Sequence, residues 1–520
     1  MRKTTAVNVL LALVIFVVFS SLYLPTLTKV FWDSDFLDLA MEVDGRLKVS
    51  VQPLFHLIQI PMGQFFYNLL GLSRHPDSSI VLMEALSALL GALSLVVFFF
   101  LAQSFFKNRL FGLLSTLLLG VAYNFWRIST APKLQMGGIA LIMLAFMLAR
   151  QVEEKKNFAA FFSGIFQGAA LVFQLGNIIM LPSLLAMLVF RRAEIKTKSL
   201  YVLLFALGIL AVFSPALIYW GGWSTVRSLP AIFNFFFLGA IRNEHAFSLY
   251  DSFTFAMMNS ALISSGSVFS YSQSIFRFLV PFLMLLTGLI LAFKSRKIAA
   301  SGMGWDVMGL VVWFISYFIV FEGYAGAGFG VGILPPFILL LVLAVRSVLP
   351  EKAGAVLIAL FILGILPANL GEAIAYSREP ESILAVRHFK PFIGDKSLVY
   401  SGNLQATVFR YYGGCETSSV DPYITTGGRT TARSADMLKE EVESQLKTGR
   451  KVFLNYSASF AGTISFESKW KDNLSRPFRD YDDMKAFFLQ SFRLVPVAEY
   501  SDMQIYRVLP LPAREGKFKR

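Results

Sequence analysis

Long apolar runs separated by short polar segments dominate the first 370 residues of the chain. A transmembrane helix needs about 20 mostly apolar residues, because only a structure that satisfies its own backbone hydrogen bonds is stable in lipid. Eleven runs approach this length, so the pattern predicts eleven membrane spans. They lie at about 7–25, 78–104, 110–126, 134–150, 158–174, 177–190, 199–220, 274–293, 305–322, 330–347 and 353–370.

Three segments between or after these runs are long enough to carry function. Residues 26–77 and 221–273 interrupt the apolar pattern, and the charged cluster in the second favours interfacial or re-entrant helices over a span. Residues 371–520 have the mixed composition of a soluble domain with alternating strand and helix signals. We therefore expect a polytopic α-helical membrane domain, residues 1–370, and a small α/β domain, residues 371–520.

The pattern within this C-terminal domain is detailed enough to predict its elements. Gly449 stands where a glycine commonly ends a helix. Strands are expected at 397–400, 451–455, 493–499 and 503–508, and helices at 403–412, 434–448 and 482–492.

Composition and charge agree with a membrane protein. The chain is 56% hydrophobic and 15% charged, whereas soluble domains have about 25% charged residues. With the N-terminus inside, the short inside segments carry 16 basic residues and the outside segments before residue 371 carry nine. This asymmetry predicts a cytoplasmic N-terminus and an extracytoplasmic C-terminal domain, and it accounts for much of the +14 net charge without a nucleic-acid partner. The single cysteine, Cys415, excludes an intramolecular disulfide.

An acidic stretch follows the first span, on the predicted outer side. Asp35, Asp38 and Glu42 are spaced to share one face of a helix, and the apolar residues between them share the other. We expect this helix to lie on the membrane surface with its carboxylates facing an aqueous cavity. A carboxylate there can act as a general base, or it can hold a divalent cation such as Mg²⁺ or Mn²⁺, with Asp33 and Asp35 as ligands. The alternative is a solvated acidic face without chemistry.

Several short motifs occur in a consistent order between about residues 5 and 190. They are Asp33-Ser34-Asp35-Phe36 with Gly45 and Pro53-Leu54-Phe55, then Ser87-Ala88-Leu89-Leu90-Gly91-Ala92-Leu93, then Phe125-Trp126, and finally Asn177 with Pro182. In this order the motifs resemble a bacterial membrane-protein family related to protein O-mannosyltransferases, whose members are glycosyltransferases with the GT-C fold. Beyond residue 190 the resemblance is one of architecture.

The resemblance implies a function and a set of site residues. It implies an integral membrane glycosyltransferase of a bacterial inner membrane that takes a sugar from a polyprenyl-phosphate-linked donor. Transfer to a protein, lipid or glycan acceptor would occur on the periplasmic side, with an acid of the first loop as the catalytic base. Asp35 is the first candidate for this base and Asp33 the second. Asp38 is a third acid without a clear counterpart in the family.

The sequence also departs from the family pattern in two places. The segment from Arg127 to Lys133 lacks the acidic residue that usually follows the Phe-Trp pair. Near the tenth span, Glu322 leads into a glycine-rich turn without the family's arginine. Two alternatives therefore stay open: a non-catalytic assembly protein that keeps the fold, and a transporter or flippase of lipid-linked substrates.

The donor's lipid phosphate would need cationic partners near the outer interface. Arginine binds phosphate through two hydrogen bonds and lysine through a point charge. The candidates are Arg242, Lys133, Arg127 and Arg277. The alternative for each is ordinary snorkelling toward the lipid headgroups. His56, His245 and Glu322 are candidates for the cavity wall.

Overall fold

The structure is a computed structural model. It describes residues 2–29, 35–47, 57–72, 77–152, 157–190, 194–218, 304–322, 329–394, 396–424, 434–457 and 481–511. Its contacts divide the chain into two compact units. The membrane unit contains Met1–Thr28 and Glu42–Ser377, and the C-terminal unit contains Lys29–Met41 and Arg378–Arg520.

Every regular element among the described residues before residue 378 is a helix. Short 3-10 turns at Leu24–Thr26, Leu175–Met180 and Phe329–Ile333 join some of these helices. We number the described helices α1 (Arg2–Tyr23), α2 (Asp35–Val43), α3 (Gln59–Leu69), α4 (Ser78–Phe106), α5 (Arg109–Val121), α6 (Tyr123–Ser129), α7 (Gln135–Gln151), α8 (Asn157–Phe173), α9 (Leu181–Val189), α10 (Ile195–Ala216), α11 (Gly304–Glu322), α12 (Leu334–Val348) and α13 (Glu351–Tyr376).

The predicted spans coincide with helices wherever the structure describes them. Span 274–293 lies outside the described residues, and the other ten overlap α1 and α4 to α13. Among the described residues, five helices are long and apolar enough to cross a membrane, and a sixth joins them if the bent pair α5–α6 counts as one span. The chain is therefore a multi-pass membrane protein.

One predicted span is not a single helix. Residues 110–126 are divided at Ala122, where the chain becomes extended and α6 turns away from α5 by 66°. The bend brings Trp126 into the protein interior, where its side chain is 1% exposed and its Nε1–H donates to Thr26 Oγ1 at 2.8 Å. This hydrogen bond gives the buried indole N–H an acceptor and fixes α6 against the end of α1.

Local sequence signals explain several helix boundaries. Asn108 caps α5, since its side-chain oxygen accepts hydrogen bonds from the backbone N–H groups of Leu110 and Phe111. Pro182 and Pro335 stand in the first turns of α9 and α12, where a missing N–H costs nothing.

Helix α4 is central to the membrane unit and packs against α1, α5, α6 and α7. Small residues permit a second close packing, between α8 and α10. A Cβ on Gly164 would lie 2.0 Å from the carbonyl oxygen of Phe205, and one on Gly208 would lie 2.2 Å from that of Phe161. Backbones this close are typical of small-residue interfaces between membrane helices.

The C-terminal unit contains a five-stranded mixed sheet with strand order β2-β1-β3-β5-β4. Strand β1 pairs in parallel with both β2 and β3, while β5 pairs antiparallel with β3 and β4. The strands are β1 (Leu398–Ser401), β2 (Glu416–Ser419), β3 (Val452–Ser457), β4 (Arg493–Tyr500) and β5 (Met503–Leu509). The helices are α14 (Glu381–Ile393), α15 (Asn403–Val408), α16 (Ala435–Lys447) and α17 (Tyr481–Ser491), with a π-helical turn at Phe409–Gly413 and a 3-10 turn at Asp421–Tyr423.

The predicted α/β character of this unit is confirmed, and four of its five strands follow the predicted positions. Strand β2 was not expected, because Glu-Thr-Ser-Ser lacks an apolar alternation. Gly449 adopts a φ of +76° directly after α16, as a helix-ending glycine does.

A carboxylate ties the first two strands of this sheet to α16. The hydroxyl groups of Tyr400, Ser418 and Tyr423 donate to the Glu441 carboxylate at 2.9, 3.1 and 2.7 Å. Burial, and then the neighbouring Glu441 charge, raise the pKa of the Tyr400 hydroxyl well above its usual range. Tyr400 therefore stays protonated and keeps donating at any physiological pH.

Candidate functional site

The structure describes only part of the predicted site. Asp33, His56, Arg242, His245 and Arg277 lie outside the described residues. Asp35 and Glu322 are described as the first residue of α2 and the last residue of α11. The roles assigned to all seven residues stay predictions.

The predicted acidic helix is present as α2, but it is more enclosed than expected. Phe36, Leu39 and Ala40 on its apolar face are buried, and so are Leu37 and Met41. Protein therefore covers this helix on more than one side, which contradicts the expectation of a helix lying on the membrane surface.

The carboxylates of α2 differ in their surroundings. The side chain of Asp38 is 31% exposed. Asp35 lies one turn earlier, at the spacing that places it on the same face. Glu42, which was expected on that face, is buried, and its backbone carbonyl accepts a hydrogen bond from Gln64 Nε2 at 3.0 Å. Of Asp38 and Glu42, only Asp38 is therefore accessible.

Arg410 of the C-terminal unit lies beside this acidic turn. Its Nη1 is 3.9 Å from Asp38 Oδ1, and its side chain is 39% exposed. A pair this open contributes little to stability, but it places a guanidinium next to Asp38. Arg410 was not among the predicted site residues, because a lone arginine between Phe409 and Tyr411 gives no indication of a link to the first loop.

A π-helical turn carries Arg410, and such turns occur frequently at functional sites. The turn is anchored by Phe409, whose ring stacks on Phe389 with an interplanar angle of 7°.

Lys133 is the best described of the predicted phosphate contacts. It lies in the connection between α6 and α7 and is 8% exposed. Its carbonyl accepts a hydrogen bond from Ser87 Oγ at 2.9 Å, and its N–H donates to Ala131 O at 2.8 Å. The backbone that carries this cation is therefore held firmly by α4.

Gln59 fixes the next residue of the same connection. Its Oε1 accepts from the N–H of Leu134 at 3.2 Å, and its Nε2 donates to Phe173 O at 2.9 Å. The fully buried amide thus joins α3, the start of α7 and the end of α8.

The Ser-Ala-Leu-Leu-Gly-Ala-Leu motif of α4 and Ser94, which follows it, explain how the connection between α6 and α7 packs on α4. Ser87, Gly91 and Ser94 recur on one face of α4 and all contact the segment around Lys133. Ser87 Oγ donates to Lys133 O, and Ser94 Oγ donates to Met136 O at 2.7 Å. Gly91 lies against Ser129, leaving no room for a side chain between them. The motif therefore docks the connection between α6 and α7 onto α4.

Glu84 is a second residue that the sequence analysis missed. It lies on α4 one turn before Ser87, and its side chain is 0% exposed. Burying a carboxylate costs several kcal/mol in general, and an acid within a span is a functional candidate by default. It was overlooked because a single glutamate does not interrupt the apolar run around it.

Arg127, the other described phosphate candidate, is engaged within the membrane unit. Its guanidinium lies over the ring of Tyr376, 5.5 Å from the centroid. This cation–π contact fixes the side chain near the end of α13. Its predicted role toward phosphate is untested.

A metal site was the alternative use of the acidic cluster. Within the described ranges, no three histidine, cysteine or acidic side chains lie close enough to hold a metal ion. Asp33, one of the two predicted ligands, lies outside those ranges. The divalent cation therefore stays a prediction.

Comparison with known proteins gives the class of fold. Residues 61–220 match the family model described as dolichyl-phosphate-mannose-protein mannosyltransferase. This match spans α4 to α10, including the Ser87–Leu93 motif and Lys133. A search of curated protein sequences finds no match.

A solved structure extends the likeness to the whole chain. The crystal structure of ArnT from Cupriavidus metallidurans bound to undecaprenyl phosphate aligns with a TM-score of 0.55 and 14% identity, over 98% of this chain and 98% of that chain. The expected GT-C-like membrane fold is confirmed, and so is the resemblance to mannosyltransferase-like GT-C proteins. The solved structure shows the shared fold, and the family match over residues 61–220 points to a glycosyltransferase.

Proposed function

We propose that this protein transfers a sugar from a polyprenyl-phosphate-linked donor to an acceptor on the outer face of a bacterial inner membrane. One observation carries the proposal: the chain aligns over nearly its full length with a solved glycosyltransferase that holds undecaprenyl phosphate. The family match over residues 61–220 supports the same donor chemistry independently.

The proposed reaction is a direct displacement at the anomeric carbon. A hydroxyl group of the acceptor attacks this carbon, the bond from carbon to the lipid phosphate oxygen breaks, and polyprenyl phosphate leaves. The hydroxyl proton passes to a carboxylate, for which Asp35 is the first candidate and Asp33 the second. Asp38, which shares a helix face with Asp35, is the third candidate.

Arg410 supports this assignment of the first loop. Its guanidinium Nη1 lies 3.9 Å from Asp38 Oδ1, so a cationic group stands beside one of the candidate acids of the first loop.

Lys133 and Arg127 are the described candidates for the lipid phosphate, with Arg242 and Arg277 as the others. Lys133 is supported by its burial and by its rigid attachment to α4. A buried ammonium interacts strongly with a phosphate because the local dielectric constant is low. It would stabilise the negative charge that develops on the leaving group.

The test is a transfer assay with the full-length protein in proteoliposomes. The donors are undecaprenyl phosphates carrying different radiolabelled sugars, and the acceptor source is an extract of membrane lipids, glycans and proteins. We expect transfer with at least one donor and a loss of about 100-fold or more in Asp35→Asn, the usual scale for a general base. Glu379→Gln is the matched control, since it removes a partly exposed carboxylate whose described ion pair is with Arg387.

The outcomes separate the alternatives. Transfer that survives in Asp35→Asn, Asp38→Asn and Asp33→Asn would refute the assignment of the base. If the folded wild-type protein transferred no sugar from any donor, the non-catalytic alternative would be favoured. Movement of the intact labelled donor across the bilayer without transfer would favour a flippase.

A further inference from the structure

A second cluster of charged residues lies at the other end of the membrane unit. Helix α4 has 29 residues, and an α-helix rises about 1.5 Å per residue. Ser87, which contacts Lys133, and Ser104, which lies near the end of α4, are therefore about 25 Å apart along the helix. This separation approaches the thickness of the hydrocarbon core, so the two clusters belong to opposite membrane faces.

The second cluster surrounds a cavity of about 670 Å³ where α4 ends, α5 begins and α7 ends. Lys107, Arg109 and Arg150 line it, and none of the described lining residues is acidic. Phe100 and Met147 provide an apolar wall on the side of α4 and α7. A cavity of this size, lined by basic residues and an apolar wall, can accommodate an anionic group that is attached to a hydrocarbon chain.

The short connection between α4 and α5 positions two of the basic residues, Lys107 and Arg109. Lys107 ends α4 in the left-handed conformation, with a φ of +50°. Asn108 then caps α5, and its Nδ2 also donates to Glu351 at 2.5 Å. This short connection fixes the direction in which the chain leaves α4, so Arg109 begins α5 beside Lys107 at the rim of the cavity.

Arg150 is held in place from the opposite side. Its Nη2 donates to Asp306 at 2.7 Å, its Nη1 donates to Ser104 Oγ at 2.9 Å, and its guanidinium lies over the ring of Phe105. Arg150 also lines the cavity. A guanidinium that is held in place in this way is preorganised to bind a phosphate oxygen.

We propose that this cavity binds the headgroup of an anionic phospholipid, with the phosphodiester contacting Lys107, Arg109 and Arg150 and an acyl chain lying along Phe100 and Met147. Basic pockets between helices on the cytoplasmic side are typical binding sites for such headgroups. The count of basic residues assigns this end of the unit to the cytoplasmic side. The site is separate from the proposed catalytic site, so the two proposals can fail independently.

The experiment is native mass spectrometry of the full-length protein, released from detergent micelles and titrated with phosphatidylglycerol or phosphatidylcholine. Each basic residue near an anionic lipid contributes about a fivefold gain in affinity. We therefore expect Lys107→Gln/Arg109→Gln to weaken phosphatidylglycerol binding about 25-fold while leaving phosphatidylcholine binding unchanged. The control pair Lys196→Gln/Lys198→Gln removes the same charge from the start of α10, outside the cavity.

Several results would overturn the proposal. One is an equal loss in the control pair, which would indicate general attraction to the basic face. A second is equal binding of the two lipids to the wild-type protein. A third is free glycerol 3-phosphate binding as tightly as the lipid, which would indicate a site for a soluble phosphate. Thermal unfolding of the two double variants is the control for folding. If their unfolding midpoints equal that of the wild type, the difference in lipid binding is not caused by a loss of folded protein.

Discussion

The contact between Gly91 and Ser129 gives the sharpest prediction about the membrane unit. A Cβ at position 91 would lie 2.5 Å from Ser129 Oγ and 2.6 Å from Ser129 Cβ, whereas ordinary contacts begin at 3.4 Å. In Gly91→Ala, α4 and α6 must therefore separate by about 1 Å. Ser129 has little freedom to give way, because it is fully buried and donates to Phe125 O at 2.7 Å.

Two opposing effects set the magnitude for Gly91→Ala. Alanine is favoured over glycine within a helix by about 1 kcal/mol. Overpacking a buried contact costs about 1–3 kcal/mol. The strain exceeds the helical preference over most of this range, so we expect a net loss of about 1 kcal/mol, and at most about 2 kcal/mol, in the free energy of unfolding. The separation also weakens the packing of the connection that carries Lys133 against α4, so binding of undecaprenyl phosphate should weaken as well.

The assay is thermal unfolding of the full-length protein in detergent, followed by tryptophan fluorescence. Gly364→Ala on α13 is the matched control, because a Cβ there meets nothing within 4 Å. We expect Gly91→Ala to lower the unfolding midpoint by a few degrees and Gly364→Ala to leave it unchanged or raise it.

A double variant tests the cause directly. Ser129→Gly removes both atoms that the new methyl group would strike, so Gly91→Ala should be less destabilising in a Ser129→Gly background than in the wild type. Equal effects of Gly91→Ala in the two backgrounds, or a stabilised Gly91→Ala single variant, would refute the packing argument.

Four further predictions follow from buried contacts, and those for Gln59 and Glu441 use the same unfolding assay. Gln59→Leu leaves the N–H of Leu134 unsatisfied and should cost about 1–3 kcal/mol; unchanged stability would contradict this. Gly164→Leu should separate α8 from α10, because even a Cβ meets Phe205 O at 2.0 Å, and loss of folded protein on size-exclusion chromatography checks it. Glu441→Leu should destabilise the C-terminal unit far more than Glu441→Gln, which keeps one oxygen acceptor for the three hydroxyl groups; equal losses in the two variants would contradict this. Folding raises the pKa of Tyr400, so the contribution of this tyrosine to the stability of the unit should be fully present below pH 10 and decrease above it. Urea titrations at pH 8 and 11 measure this decrease.

The sequence predicted those parts of the fold that depend on local pattern. Apolar runs located the described helices, since burial in lipid requires both length and low polarity. The spacing of Asp35 and Asp38 predicted α2, and the glycine at 449 predicted the end of α16. Each of these features depends on residues within a few turns of one another.

The missed features depend on contacts between distant parts of the chain. Strand β2 is polar and exists because β1 supplies its hydrogen-bonding partner. The bend after α5 exists because Trp126 finds an acceptor on Thr26. Arg410 reaches Asp38 only after the C-terminal unit has folded. The first-loop helix was wrongly placed on the membrane surface because amphipathic spacing does not distinguish lipid from protein as the apolar partner.

The central claim is that sugar leaves a polyprenyl phosphate for an acceptor at this site. It is tested most directly by a single-turnover reaction in which the sugar and the lipid of the donor carry different radiolabels. The account predicts that one undecaprenyl phosphate is released for each sugar found on the acceptor, and that both signals disappear together in Asp35→Asn. Release of lipid phosphate without sugar transfer, or transfer of sugar together with its lipid phosphate, would contradict it.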